Sequence, residues 1–277
     1  MSTVPSDVVR LVDEAELPAS ARELKTSGDA NSEGLLMPHQ KQWVSQCLKY
    51  PLNIAEKCRR SGITLATAWN DTITAASKKS AGGDNIYYIG DTKEKGLEFI
   101  GYCAHFAKAM ASAMAQNWNG IEVFLFEDQV VNERGKVIET RQISSYRIRF
   151  ASGFQIVALS SNPSNIRGLQ GIVNIDEAAF HADVQAVIDA SLALIIWGGR
   201  IRIISTHNGA DNPFNQLVKD SLKGLFDFKI FRITFDEVVK NGLYKKVCLV
   251  KGLTWSQEAE DKWYRQVRGA YGANKAA

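Results

Sequence analysis

Glu56-Lys57-Cys58-Arg59-Arg60-Ser61-Gly62-Ile63-Thr64 follows a short apolar run, Leu52 to Ala55, and opens a helix-prone segment, Leu65 to Lys78. Strand, tight loop and helix in that order make a phosphate cradle. Backbone N–H groups and the positive end of the helix face an anion, and a Ser or Thr hydroxyl in the first helical turn ligates Mg²⁺. Gly62 and Thr64 fit those places. The match to G-x-x-x-x-G-K-[ST] departs at two positions: Lys57 stands where the first Gly belongs, and Ile63 where the Lys belongs. An ammonium at the loop entrance reaches the β and γ phosphates from the other side, keeping the charge while changing its point of attachment. A basic surface turn between a strand and a helix is the plain alternative.

Outward from the loop, Asn85 to Gly90 is a short β-rich run and Thr92 to Trp118 a long helical stretch. Strand alternating with helix predicts an α/β fold, a mainly parallel sheet with helices on its faces. From Ile121 to Ser160 the period changes to two. Val123 to Phe126, Arg141 to Phe150 and Phe154 to Leu159 read as strands, joined by turns at Asn132 to Gly135 and Ala151 to Gly153. This predicts a strand pair inserted into the α/β repeat at a sheet edge.

Ile172-Val173-Asn174-Ile175-Asp176-Glu177 is a mostly apolar strand that ends in two acids. Phosphoryl hydrolysis has a use for such a pair, with Asp176 in the Mg²⁺ shell and Glu177 orienting and deprotonating a water. A solvated strand end is the other reading. A third strand, Arg200 to Ile204, delivers Ser205 and Thr206, which either sense a γ-phosphate or cap locally. Ligands of parallel sheets bind beyond the carboxyl ends of the strands, where all three pieces converge. Before the loop, Gln40 in Pro38-His39-Gln40 is placed to read adenine through its amide or to lie on the surface.

Residues 1–34 read as a loosely ordered arm with one short helical pattern near Val8 to Glu16. The chain of 277 residues is long enough for one large α/β domain or two small ones. No apolar run approaches the ~20 residues that span a bilayer, and the N-terminus lacks a signal-peptide pattern, so a cytoplasmic protein is expected. Cys47, Cys58, Cys103 and Cys248 show no C-x-x-C spacing, and the four histidines form no H-x-x-x-H pair, which argues against disulfide scaffolds and structural zinc. Net charge is +3, with eight bases against three acids from Lys240 onward. Such a basic end suits nucleic acid or an acidic partner, or is simply a solvated face.

Taken in order, Pro38-His39-Gln40, Lys57 to Thr64, Ser161 to Gly168 with Arg167-Gly168, Ile175-Asp176-Glu177-Ala178, and Gly199 to Gly209 with Ser205-Thr206 carry a family likeness. Over about residues 35–245 the sequence resembles the ATPase part of the large terminase subunit of tailed phages, most closely the Mu-like branch. The resemblance implies a P-loop NTPase fold of the RecA/ASCE type and a motor that couples ATP hydrolysis to packaging of double-stranded DNA. It implies a nucleotide site at Gln40, Lys57, Ser61, Gly62, Ile63 and Thr64, with Gln40 on adenine and Lys57 on the phosphates. Thr64 and Asp176 would hold Mg²⁺, Glu177 the water, Arg59 or Arg60 would act as an arginine finger, and Ser205-Thr206 would couple hydrolysis to motion. The implied partners are duplex DNA, a portal protein, a small terminase subunit and further copies in a ring, in the host cytoplasm.

Full-length relatives continue into an RNase H-like nuclease. The acids after Lys240 are Glu258, Glu260 and Asp261, all on one expected helix. Residues 246–277 therefore read as a helical or linker segment, and no DNA cleavage by this chain is expected. Two further readings stay open: another P-loop translocase or helicase-like ATPase, and an inactive nucleotide-binding prophage remnant.

Overall fold

Nine strands among the described residues form one sheet. A computed structural model describes residues 8–22, 35–113, 119–131, 137–159, 161, 162, 166 and 169–271. First come β1 (Val8–Leu11), a 3₁₀ turn at Glu14–Glu16 and α1 (Ala19–Arg22). Helix α2 (Pro38–Lys49), with Pro in its first turn, leads into β2 (Leu52–Lys57), and α3 (Ile63–Ala76) follows the loop. Next are β3 (Ile86–Ile89), α4 (Lys93–Ala113), β4 (Glu122–Val131), β5 (Val137–Arg149) and β6 (Gln155–Leu159). The second half runs β7 (Ile172–Asp176), a 3₁₀ turn at Ala178–Phe180, α5 (Val184–Leu192), β8 (Arg200–Ser205), α6 (Pro213–Leu222) and β9 (Lys229–Ile233). Three helices follow: α7 (Phe235–Lys240), α8 (Leu243–Lys251) and α9 (Gln257–Tyr271).

Across the sheet the order is β1-β4-β5-β6-β3-β7-β8-β2-β9. From β6 to β9 every neighbouring pair is parallel, and β5, β4 and β1 add on antiparallel. Strand β8 therefore separates the strand that enters the loop from the strand that ends in the acids. Strands β3, β6 and β7 are mostly apolar runs because helices cover both faces, whereas β2, β8 and β9 interleave polar residues. Ile89, Val173, Ile175, Ile201 and Ile203 face α5 and α6, where Val187, Ile188, Phe214 and Val218 are buried. Ile86, Tyr88, Ile156 and Ile172 face α3 and α4, where Ala68, Ala75, Phe99, Ile100 and Cys103 are buried.

Two expectations are corrected. Only Glu14–Glu16 of the stretch Val8 to Glu16 is helical, as a 3₁₀ turn: Val8–Leu11 pairs with β4 as the outermost strand, and Val12 N–H donates to the Ile121 carbonyl at 2.8 Å. Its apolar residues at 8, 9, 11 and 12 fit a helical period locally, and the distant partner β4 decides otherwise. The inserted strands β4 and β5 pair antiparallel, and β1 covers them, so they are not the sheet edge that was expected. Their turn, Asn132 to Gly135, lies outside the described residues.

Candidate nucleotide site

The loop after β2 is held from two sides. Cys58 N–H donates to the Ile233 carbonyl at 3.0 Å, extending the pairing with β9. From α2, His39 Nε2 meets the Ser61 carbonyl and Gln40 Nε2 donates to the Gly62 carbonyl, each at 2.8 Å. Gly62 caps α3 at φ +72, and a Cβ there would sit 2.3 Å from Gln40 Nε2, so the close approach of helix and loop needs glycine. Arg60 also takes a positive φ, 60°. The first amides of α3 have no intrahelical acceptor and make the positive helix end available to an anion.

Opposite the loop, β7 presents Asp176, 2% exposed, and then Glu177 at φ 50. A left-handed non-glycine residue carries backbone strain of the kind found at functional sites. Asp176 Oδ2 accepts from Thr64 Oγ1 at 2.7 Å and from Tyr88 OH at 3.0 Å, and its Oδ1 accepts from Glu177 N–H at 2.9 Å. Burial pushes the Asp176 carboxyl up, against the pull of the Lys57 ammonium. Lys57 Nζ bonds Glu177 Oε1 at 3.0 Å, with side-chain exposures of 5% and 26%. Lys57, Thr64, Asp176 and Glu177 border a cleft of about 600 Å³.

Lys57, Thr64, Asp176 and Glu177 are thus brought together, 120 residues apart in sequence at the widest. Ile63 sends its side chain into the core, 1% exposed, so Lys57 is the lysine of this loop. Arg59 and Arg60 both line the cleft as exposed side chains. Ser61 lines it with a buried Oγ that has no hydrogen-bond partner. Thr206 reaches the cleft, whereas Ser205, fully buried, accepts from Ala179 N–H at 3.0 Å and steadies the turn after Glu177.

Gln40, expected against adenine, packs behind the loop. It is 3% exposed and outside the cleft lining, and its Oε1 accepts from Met37 N–H at 2.8 Å while Nε2 holds Gly62. In this structure it braces the loop from behind. Arg167 and Gly168 lie outside the described residues. The residues that sequence reading did not single out include Tyr88 on Asp176, and Lys95, Tyr102 and Tyr271 along the cleft wall. None of them carried a local signal in the sequence, since the neighbour of β3 is set by the sheet order.

The donors fit Mg²⁺. Thr64 and Asp176 would supply hard oxygen ligands at the mouth of the cradle, and Mg²⁺ takes one or two protein groups with phosphates and waters for the rest. Among the described residues no group of three or more His, Cys, Asp or Glu could hold a metal by itself. No helix among them is long and apolar enough to cross a membrane.

No protein-family model matches the chain. The Mu-like prophage FluMu protein gp28 of Haemophilus influenzae is 45% identical over 229 residues, covering 83% of this chain and 42% of that protein. The probable terminase large subunit gp28 of Escherichia phage Mu is 43% identical over 234 residues, covering 84% and 40%. The chain thus spans about two fifths of the length of these curated relatives. Among solved structures, the large terminase of a thermophilic bacteriophage matches with a TM-score of 0.51 at 11% identity, over 85% of this chain and 51% of that one. The ATPase domain of the Thermus phage P74-26 large terminase matches at 0.50 and 16%, over 83% and 88%. Identities this low speak for the fold alone, which is that of large-terminase ATPase domains.

Proposed function

This chain is a homologue of the Mu-like terminase large subunit over 84% of its own length, and we propose that it hydrolyses ATP to drive double-stranded DNA into a phage capsid. One observation carries the catalytic part: Lys57, Thr64, Asp176 and Glu177 meet at the carboxyl edge of the parallel sheet, against the amino end of α3. In this reading the free amides of α3 and the Lys57 ammonium receive the β and γ phosphates. Thr64 and Asp176 hold Mg²⁺, which when bound neutralises charge developing on the transferred phosphoryl group. Glu177, released from Lys57, orients the attacking water and takes its proton. Arg59 or Arg60 stabilises the transition state, an effect of ~10³–10⁵ in turnover where an arginine finger acts.

Thr206 at the cleft and Ser205 behind the Glu177 turn transmit loss of the γ-phosphate to β8. The motor engages duplex DNA through its backbone in a salt-sensitive way, and works as a ring with a portal protein and a small terminase subunit. Residues 8–22 join 35–245 in the working unit, since β1 completes the sheet.

The test is steady-state ATP hydrolysis with Mg²⁺, with and without duplex DNA, beside Lys57→Ala and Glu177→Gln. Turnover in the parent that is lost in both variants is expected. Turnover undiminished in Glu177→Gln would remove the carboxylate from its role, and no nucleotide binding by the parent would sink the reading.

A further inference from the structure

Asp176 Oδ2 receives two hydroxyl donors, and they differ in what else they can do. Thr64 Oγ1, at 2.7 Å, belongs to the first turn of α3 and lines the cleft. Under the reading of the cleft given above, Thr64 Oγ1 would give a lone pair to the Mg²⁺ of a bound nucleotide, so the hydroxyl that it donates to Asp176 would shift with the ligand. Tyr88 OH, at 3.0 Å, comes from the opposite side and does not border the cleft. Its strand is pinned between β6 and β7, with Tyr88 opposite Ala158 and Asn174. The ring is 1% exposed and stacks on Phe99 of α4, centroids 3.9 Å apart and planes 10° off parallel. Neither the strand nor the ring has room to follow a ligand.

We propose that Tyr88 is a positioning residue, whose hydroxyl keeps the Asp176 carboxylate aimed at the metal once Thr64 turns to the nucleotide. Tyr88 fixes one oxygen from behind, Glu177 N–H fixes the other at 2.9 Å, and the carboxylate cannot swing to a second rotamer. Groups that orient metal ligands in this way typically matter by 10–100-fold in metal affinity or activity.

The decisive measurement is the Mg²⁺ dependence of fluorescent ATP-analogue binding in Tyr88→Phe, which keeps the ring and its stacking and removes only the hydroxyl. Affinity in EDTA should match the parent, while the Mg²⁺ concentration at half-maximal enhancement rises about tenfold. Phe99→Leu, which loosens the ring and leaves the hydroxyl, should shift the midpoint the same way by less. An unchanged midpoint in Tyr88→Phe, or an equal loss of affinity in EDTA and Mg²⁺, overturns the inference. A parent that binds no nucleotide under either condition overturns the reading of the cleft, and this inference with it.

Discussion

Lys57 Nζ and Glu177 Oε1 face each other across the cleft at 3.0 Å. Under the proposed function a phosphate would compete with the Glu177 carboxylate for the Lys57 ammonium, and nucleotide binding would free that carboxylate to address a water. Glu177→Gln should bind nucleotide more tightly than the parent, because Lys57 no longer has an anionic competitor. Turnover should fall by about 10²–10⁴, the usual contribution of a positioned general base. Equilibrium binding and single-turnover hydrolysis separate the two, and weaker binding would show that the pair does not compete with the ligand.

The same sheet face carries a second ion pair. Arg202 of β8 donates to Asp71 of α3, with side-chain exposures of 1% and 0%, and Asn174 Nδ2 donates to the other Asp71 oxygen at 2.6 Å. This fastens the helix behind the phosphate loop to the strand between loop and acids. Removing one partner of such a pair leaves an uncompensated buried charge, at about 3–5 kcal/mol. Arg202→Met should lower unfolding free energy by that amount in urea. The double variant Asp71→Leu with Arg202→Met should recover most of it, and a double variant as unstable as the single would place the loss in packing instead.

Gln40 gives a prediction about selectivity. Its amide joins Met37 N–H to the Gly62 carbonyl, so Gln40→Ala loosens the loop through two hydrogen bonds, each worth about 1 kcal/mol. The affinities for ATP and GTP should fall together. A selective loss of ATP would return Gln40 to the adenine. Gly62→Ala probes the same contact from the other side. The left-handed backbone at φ +72 costs about 1–2 kcal/mol for a residue with a Cβ, and the clash with Gln40 Nε2 comes on top. Calorimetric melting and nucleotide titration of the two variants together check the brace.

Much of the site was legible because parallel sheets gather their chemistry at one edge. Lys57, Asp176 and Ser205 all stand at strand ends in the sequence, and that edge is where they meet. What pairs with what was not legible. Tyr88 reads as one apolar residue of a strand until β3 lies beside β7, with Tyr88 opposite Asn174 and its hydroxyl 3.0 Å from Asp176 Oδ2. Arg202 and Asp71 are 131 residues apart, and nothing local marks them as partners. Gln40 could be placed near the loop, but which way its amide points depends on the packing of α2 against Gly62. Residues 8–11 lacked a strand signal for the same reason, since their partner lies more than a hundred residues away.

Cys58, next to Lys57, offers a probe of how tightly the loop is closed. Its thiol is buried and pushed up to about 11 by that burial, in spite of the neighbouring ammonium. The other three cysteines are buried too, and Cys47 is pushed up to about 12. At pH 8 a thiol with a pKa near 11 is ionised to only about one part in a thousand, and the thiolate is the species that reacts. The native protein should therefore show no fast phase with a disulfide reagent, and react only as the loop or the whole domain opens. Nucleotide bound to the closed loop makes opening rarer in proportion to saturation, by about a hundredfold at a hundred times Kd. Cys58 labelling, followed by peptide mapping, should slow by that factor with Mg²⁺ and nucleotide. Labelling at Cys103, between α3 and α4, should slow as much only if it reports opening of the whole domain. Fast labelling of Cys58 without nucleotide would mean that the loop is open before the ligand arrives, and that Gln40 and His39 do not hold it.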